Sequence, residues 1–171
     1  MLNLKDKAPV SVLLVGLAVS VGAEAESSKA TVLWSGTVPT VTASDTLVIT
    51  GLAGDTTALY GTITPSPTGV FESDTIVLES HVNDGDATSP VIGDLTAANW
   101  RLVDASVTFD GAANPAQNIE VNVNGAPTAV GDVISAEETI STQVNQTVPL
   151  PEAEVGGATV QATITVLADI V

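Results

Sequence analysis

The sequence predicts an all-β protein built as a sandwich of antiparallel sheets. Three observations lead there. Hydrophobic residues make up 44% of the chain and aromatics 3%, so Val, Ile, Leu and Ala carry the apolar load, and with abundant Thr and scattered Gly and Pro they favour strands and turns over helices. Segments near both ends alternate apolar and polar residues with a period of two, the pattern of a strand with one buried face. Between them, short β-like runs are separated by Gly54-Asp55, Pro65-Ser66-Pro67, Asn83-Asp84-Gly85-Asp86, Asp110-Gly111, Asn124-Gly125 and Gly156-Gly157, the punctuation of a sandwich or barrel.

Length and charge narrow the possibilities. A chain of 171 residues buries an adequate core as one domain without a disulfide. The sequence contains no cysteine, which excludes thiol catalysis and cysteine-based zinc sites. Four basic residues stand against twenty acidic ones, for a net charge of −16. Nothing here neutralises phosphates, so nucleic acid and anionic membrane surfaces are excluded as partners. The charge speaks to solubility rather than to fold.

Taken in order, residues 1–25 read as a secretory signal peptide. Lys5 and Lys7 precede the apolar run Pro9 to Val21, and Ala23-Glu24-Ala25 fits a small-x-small cleavage site. No later apolar stretch is long enough to cross a bilayer, so the expected destination is extracellular. Residues 26–41 follow as an N-terminal extension. In it Ala30, Val32, Trp34, Gly36 and Val38 share one face, and Thr31, Ser35 and Thr37 the other, with Leu33 the large exception. Such a strand either completes its own domain or adds to an open sheet edge of a neighbour, and Trp34 is a core residue in the first case and an anchor in the second. Pro39 cannot donate to a ladder, so the strand ends near Val38.

Residues 42–171 form the body. Strands are expected at Thr46–Leu52, Ala58–Thr64, Val70–Val82 with Ile76 and Leu78 on one face, Trp100–Phe109 with Val103, Ala105, Val107 and Phe109 sharing a face, and Ile119–Val123. Asp94–Trp100 has room for one or two helical turns. Ser135 and Glu138 are spaced as a capping box, but no apolar helix follows. The chain ends on its most regular strand: Ala158, Val160, Ala162, Ile164, Val166, Ala168 and Ile170 form one face, opposite Thr159, Gln161, Thr163, Thr165 and Asp169. A strand this clean is expected to lie centrally in its sheet.

Residues that could carry chemistry have plainer readings. His81, the one histidine, reads as a surface residue at a strand end rather than a metal ligand. Asn83-Asp84-Gly85-Asp86 lacks the spacing and distal Glu of a calcium loop and reads as a turn. Glu137-Glu138 and Glu152/Glu154 read as solvated carboxylates, since a glycosidase pair is defined across a cleft. No Gly-x-Ser-x-Gly motif is present. Trp100 beside Arg101 reads as packing rather than a sugar platform. Asn145-Gln146-Thr147 matches a glycosylation sequon and carries no weight alone. The sequence therefore predicts no enzyme and no catalytic, cofactor or metal site.

The two ends carry a resemblance. Ala30-Thr31-Val32-Leu33-Trp34-Ser35 resembles the mature N-terminus of chaperone–usher pilins, in particular the disulfide-free group of the common pilus (Mat-type) fimbrillins. Leu150-Pro151-Glu152, Gly157 and the alternating Val160 to Ala168 resemble their C-terminal strand and the approach to it. The resemblance implies an incomplete immunoglobulin-like β-sandwich of the pilin type, completed by a donor strand. It implies a structural subunit of an extracellular fimbria, used in adhesion or biofilm formation and assembled from identical subunits with a periplasmic chaperone and an outer-membrane usher. Ala30, Val32, Trp34, Gly36 and Val38 then enter a neighbour's groove, and Val160, Ala162, Ile164 and Val166 form a wall of that groove and the chaperone-pairing strand. Two rivals stay open at this stage. One is a secreted, monomeric carbohydrate-binding or adhesive sandwich, which the scarcity of aromatics disfavours. The other is a surface-layer or matrix protein that polymerises without chaperone and usher.

Overall fold

The computed structural model describes residues 43–57 and 59–171. The expected signal peptide, residues 1–25, and the expected extension, residues 26–41, lie outside the described residues. The described chain folds into two antiparallel sheets of seven and three strands. In the larger, β1 (Leu47–Gly51), β3 (Ile76–Asn83), β9 (Thr139–Gln146), β6 (Ile119–Val123) and β7 (Ala126–Thr128) run side by side in that order, with β2 (Phe71–Glu72) paired to β9 and β4 (Ile92–Leu95) to β3. In the smaller, the order is β10 (Val160–Ile170), β5 (Ala98–Phe109), β8 (Val133–Glu137). A 3-10 turn, Leu52–Gly54, and one short helix, α1 (Glu152–Val155), complete the described elements.

The core lies between the sheets. Leu47, Leu78, Val121, Val123, Ile140 and Val144 come from the larger sheet, and Trp100, Leu102, Val107 and Phe109 from the smaller. Leu150 and Val155, either side of Pro151, join the same cluster. The alternation of β5 buries one face as expected, but the face changes along the strand. Pairing runs Thr165 with Asp104 and then Val166 with Leu102, so Val103 is an extra residue in a β-bulge and is 46% exposed. A bulge puts two residues against one and turns the strand. Ala105, Val107 and Phe109 point inward on one side of it, and Leu102, Trp100 and Ala98 on the other. Trp100 is fully buried, and its indole N–H donates to the Glu137 carbonyl at 2.8 Å.

Several segments depart from the sequence expectation. Asp94–Trp100 is not helical; it spans the end of β4 and the start of β5. Ala58–Thr64 forms no regular strand among its described residues and has one bridge, Ile63 to Ser73. Thr62 instead donates its backbone N–H and hydroxyl to the Asp74 carboxylate. Strand β9 occupies a stretch with no strong apolar alternation. Two of its four inward positions are Thr142 and Gln146, both buried. The Gln146 amide is satisfied on both ends, accepting from Asn118 N–H and donating to the Val148 carbonyl at 2.9 Å each. The Asn124-Gly125 turn behaves as expected. Its residues have φ of 51° and 76°, the left-handed pair that a tight hairpin requires, and it joins β6 to β7.

The final strand is as regular as the sequence predicts, but it is not central. Strand β10 lies at the edge of the smaller sheet, paired on one side only, with β5. Alternation sets which face is buried and is blind to the number of neighbours.

Candidate subunit interface

Strand β10 pairs with β5 from Val160 opposite Phe109 to Ile170 opposite Ala98. Across this ladder the inward residues meet as Val160–Phe109, Ala162–Val107, Ile164–Ala105, Val166–Leu102 and Ala168–Trp100. On β5, four of these five partners are buried. On β10, Val160, Ala162, Ile164, Val166 and Ala168 all pack against the core yet remain half-buried. Both strands turn the same stripe to the same core; β10 has no neighbour on its second edge among the described residues. The main-chain N–H and C=O groups along that edge need a partner, and water is the default one.

Strand β1, the end strand of the larger sheet, comes near β10 without pairing to it. Leu47 is buried in the core and Ile49 is half-buried against it. The candidate interface is therefore the open flank of the sandwich, with β10 as one wall and β1 nearby. It is apolar and uncharged along the strand: Asp169, near the far end, is the one charged residue of β10. The groove-wall residues expected from the sequence, Val160, Ala162, Ile164 and Val166, lie together on the inward face. Ala168 continues the stripe. The expected donor residues Ala30, Val32, Trp34, Gly36 and Val38 lie outside the described residues.

The remaining candidate residues are accounted for elsewhere. His81 is not a surface residue. It is 7% exposed in β3, with Nδ1 3.0 Å from the Gly93 carbonyl and Nε2 3.2 Å from the Glu79 carboxylate. Glu79 is also buried and accepts the backbone N–H of Gly54 at 3.0 Å. The N–H groups of Ala53 and Gly54, with the His81 ring, hold its carboxyl below the usual range against the opposing effect of burial. With Val48 and Thr50 of β1, which pair with His81 and Glu79, these residues form a small second layer on the outer face of the larger sheet. The Leu52–Gly54 turn and β4 cover it. The signal the sequence lacked is the cover: a polar side chain on a solvent-facing position becomes buried only when a segment distant in the chain folds over it.

Asn83-Asp84-Gly85-Asp86 is a turn. The Asn83 amide oxygen accepts from Gly85 and Val91 N–H, and Asp86 caps Thr88 and Ser89. Glu137, Glu138, Glu152 and Glu154 are exposed. Among the described residues no group of three or more His, Asp or Glu side chains lies close enough to hold a metal ion. Asn145 sits inside β9 between Glu72 of β2 and Glu120 of β6, a position enclosed by two strands. Comparison of the chain with profiles of known protein families, with curated proteins and with solved structures returns no match.

Proposed function

We propose that this chain is a structural subunit of an extracellular fimbria that polymerises head to tail by strand addition. The N-terminal extension of one subunit, residues 26–41, lies along β10 of the next and completes an incomplete immunoglobulin-like sandwich. A periplasmic chaperone covers the same edge before assembly and an outer-membrane usher passes the subunits outward. One observation carries this reading: an eleven-residue, uncharged-to-Asp169 edge strand whose five inward side chains stay half-buried beside an open flank.

Physical chemistry makes such an edge a liability unless it is covered. An added strand supplies a row of main-chain hydrogen bonds and buries its own apolar face. At about 1.5–3 kcal/mol per large apolar side chain, Val32, Trp34 and Val38 supply about 5–9 kcal/mol before the cost of ordering the segment. Head-to-tail addition is heterologous and does not close, so it yields filaments. Burial of Trp100 removes one of the few aromatics that a sugar-binding rival would display.

Material sheared from the producing cell is to be compared unheated and boiled on a denaturing gel, and viewed by negative-stain electron microscopy. Filaments, with a ladder that collapses to monomer only on boiling, are expected. Deleting residues 26–41 abolishes the ladder and leaves a monomer stabilised by an added peptide of that sequence. A monomer in both lanes, with no filaments, sinks the proposal.

A further inference from the structure

We infer that the docking segment runs antiparallel to β10 with Trp34 opposite Ala162. The inference rests on the reading that residues 26–41 add to β10, and it fixes the direction and register of that addition. The apolar stripe of the segment (Ala30, Val32, Trp34, Gly36, Val38) and the inward stripe of β10 both repeat every second residue. Facing both toward the core allows registers that differ by steps of two, and a one-residue slip turns every side chain outward.

Side-chain size selects among these registers. With Trp34 opposite Ala162, the large indole meets the smallest wall residue. The other pairs become Ala30–Val166, Val32–Ile164 and Gly36–Val160, followed by Val38 beside Ala158, which also packs against the core. A small residue meets a large one at nearly every step. A two-residue slip one way puts Trp34 on Ile164, Gly36 on Ala162 and Ala30 on Ala168. That pairs large with large and small with small, which crowds one position and leaves voids at two others. The slip the other way puts Trp34 on Val160 and Gly36 on Ala158, with the same fault.

Pro39 selects the direction. In the antiparallel register it falls opposite Gly157, before β10 begins at Val160, so its missing N–H removes no ladder bond. A parallel strand with Trp34 on Ala162 carries Pro39 to Leu167, inside the ladder, and sets Ala30 on Ala158 and Val38 on Val166, small with small and large with large. The polar face agrees with the antiparallel choice. Thr31 meets Thr165 and Ser35 meets Gln161, pairs that hydrogen-bond across strands. Lys29 comes opposite Leu167, diagonal to Asp169.

The chain has no cysteine of its own, so engineered pairs report register cleanly. A disulfide needs β-carbons about 3.5–4.5 Å apart, which directly opposite residues reach and residues displaced by two, about 7–8 Å apart, do not. Full-length chains carrying Ser35→Cys with Thr159→Cys, Gln161→Cys or Thr163→Cys are to be assembled, oxidised and boiled without reductant. The Ser35→Cys/Gln161→Cys pair is expected to give a ladder that survives boiling and collapses with reductant, while the other two give monomer. Cross-linking through Thr159→Cys or Thr163→Cys in its place overturns the register and leaves the strand-addition reading standing. A cross-link through Gln161→Cys that stays within one chain keeps the register and overturns assembly between copies. Filaments without a cross-link from any pair overturn both the register and docking on β10.

Discussion

Strands β5 and β10 are the same kind of strand in two different circumstances. They pair over nearly their whole length, turn the same stripe to the same core and alternate with the same period. Yet Trp100, Leu102, Val107 and Phe109 are buried, while Val160, Ala162, Ile164 and Val166 stay half-buried. The difference lies in what covers the far edge. On β5, β8 closes one end through Trp100–Ile134 and Arg101–Val133. At the other end the Gln117 side chain donates to the Val107 carbonyl at 3.1 Å, and the 110–112 turn folds back on Phe109. Strand β10 has no such cover among the described residues. Periodicity decides which face points inward; the second neighbour decides how deep it sits.

Truncation tests this comparison most directly. Trp100→Ala removes a fully enclosed indole and its hydrogen bond to Glu137, at a cost of about 3–5 kcal/mol in urea unfolding of the unassembled chain. Ile164→Ala removes a side chain already half in water and is expected to cost about 1 kcal/mol in the same state. Equal costs would mean that the open flank is covered in the single subunit, and the contrast would fail.

The same contrast inverts on assembly. Ile164→Asp costs the unassembled fold at least as much as Ile164→Ala, about 1–2 kcal/mol, because the same apolar contacts are lost while the carboxylate reaches water at the open edge. In a strand-completed subunit that carboxylate would be buried without a partner, a situation costing several kcal/mol. The boil-sensitive ladder is therefore expected to disappear while the circular dichroism of the monomer is unchanged. A normal ladder from Ile164→Asp would place the docking strand elsewhere.

A fourth substitution probes the cover at the Phe109 end of β5. Gly69 has a φ of 75°, and a β-carbon there would lie 2.9 Å from the Phe109 ring. Gly69→Ala combines backbone strain with overpacking and is expected to cost about 1–3 kcal/mol. Adding the same methyl at Gly125, which also has positive φ but open space, carries only the strain and is expected to cost less. The two values, read from urea midpoints, separate the packing share from the backbone share.

Much of this contrast was legible in the sequence, and the missing part has physical causes. The alternation from Val160 to Ile170 gave the strand and its inward face outright, since every inward position there is apolar. It could not give the edge position, because a central strand of an antiparallel sheet alternates in the same way. The face change in β5 was hidden because Trp100 and Leu102 have the same parity as each other and the opposite parity to Val103 and Ala105. Both stripes are apolar, and only the bulge at Val103 lets each be buried in turn. Strand β9 was missed because Thr142 and Gln146 fill inward positions with polar groups that the fold satisfies from a distance. His81 was misplaced for the same reason, its partners Gly93 and Glu79 being brought over it by β4 and the register of β3. The inward stripe of β10 was thus readable residue by residue, while its place at the sheet edge depends on long-range topology.

Acid sharpens the comparison with the smallest effect, because it acts on one sheet and spares the other. Glu79 has its carboxyl held below the usual range, first by the N–H of Ala53 and then by that of Gly54. Asp55, Asp74 and Asp86 are shifted the same way by Thr57, Thr62 and Thr88. All four belong to the strands and loops around the larger sheet. A carboxyl whose folded pKa is depressed contributes stability that is present above its unfolded value, about 4 for these groups, and is lost as pH falls through the folded value. Amide exchange protection at the Leu52–Gly54 turn is therefore expected to drop several-fold between pH 6 and pH 3.5, with Ala53 and Gly54 affected first. The β5–β10 ladder, whose inward stripe carries no carboxyl, keeps its protection over the same range. In Glu79→Gln the turn starts less protected and its pH step flattens, since no charge is left to remove. If β10 lost protection in step with the turn, the two sheets would be coupled more tightly than their separate hydrogen-bond ladders allow, and the edge strand's independence of the outer polar layer would have to be abandoned.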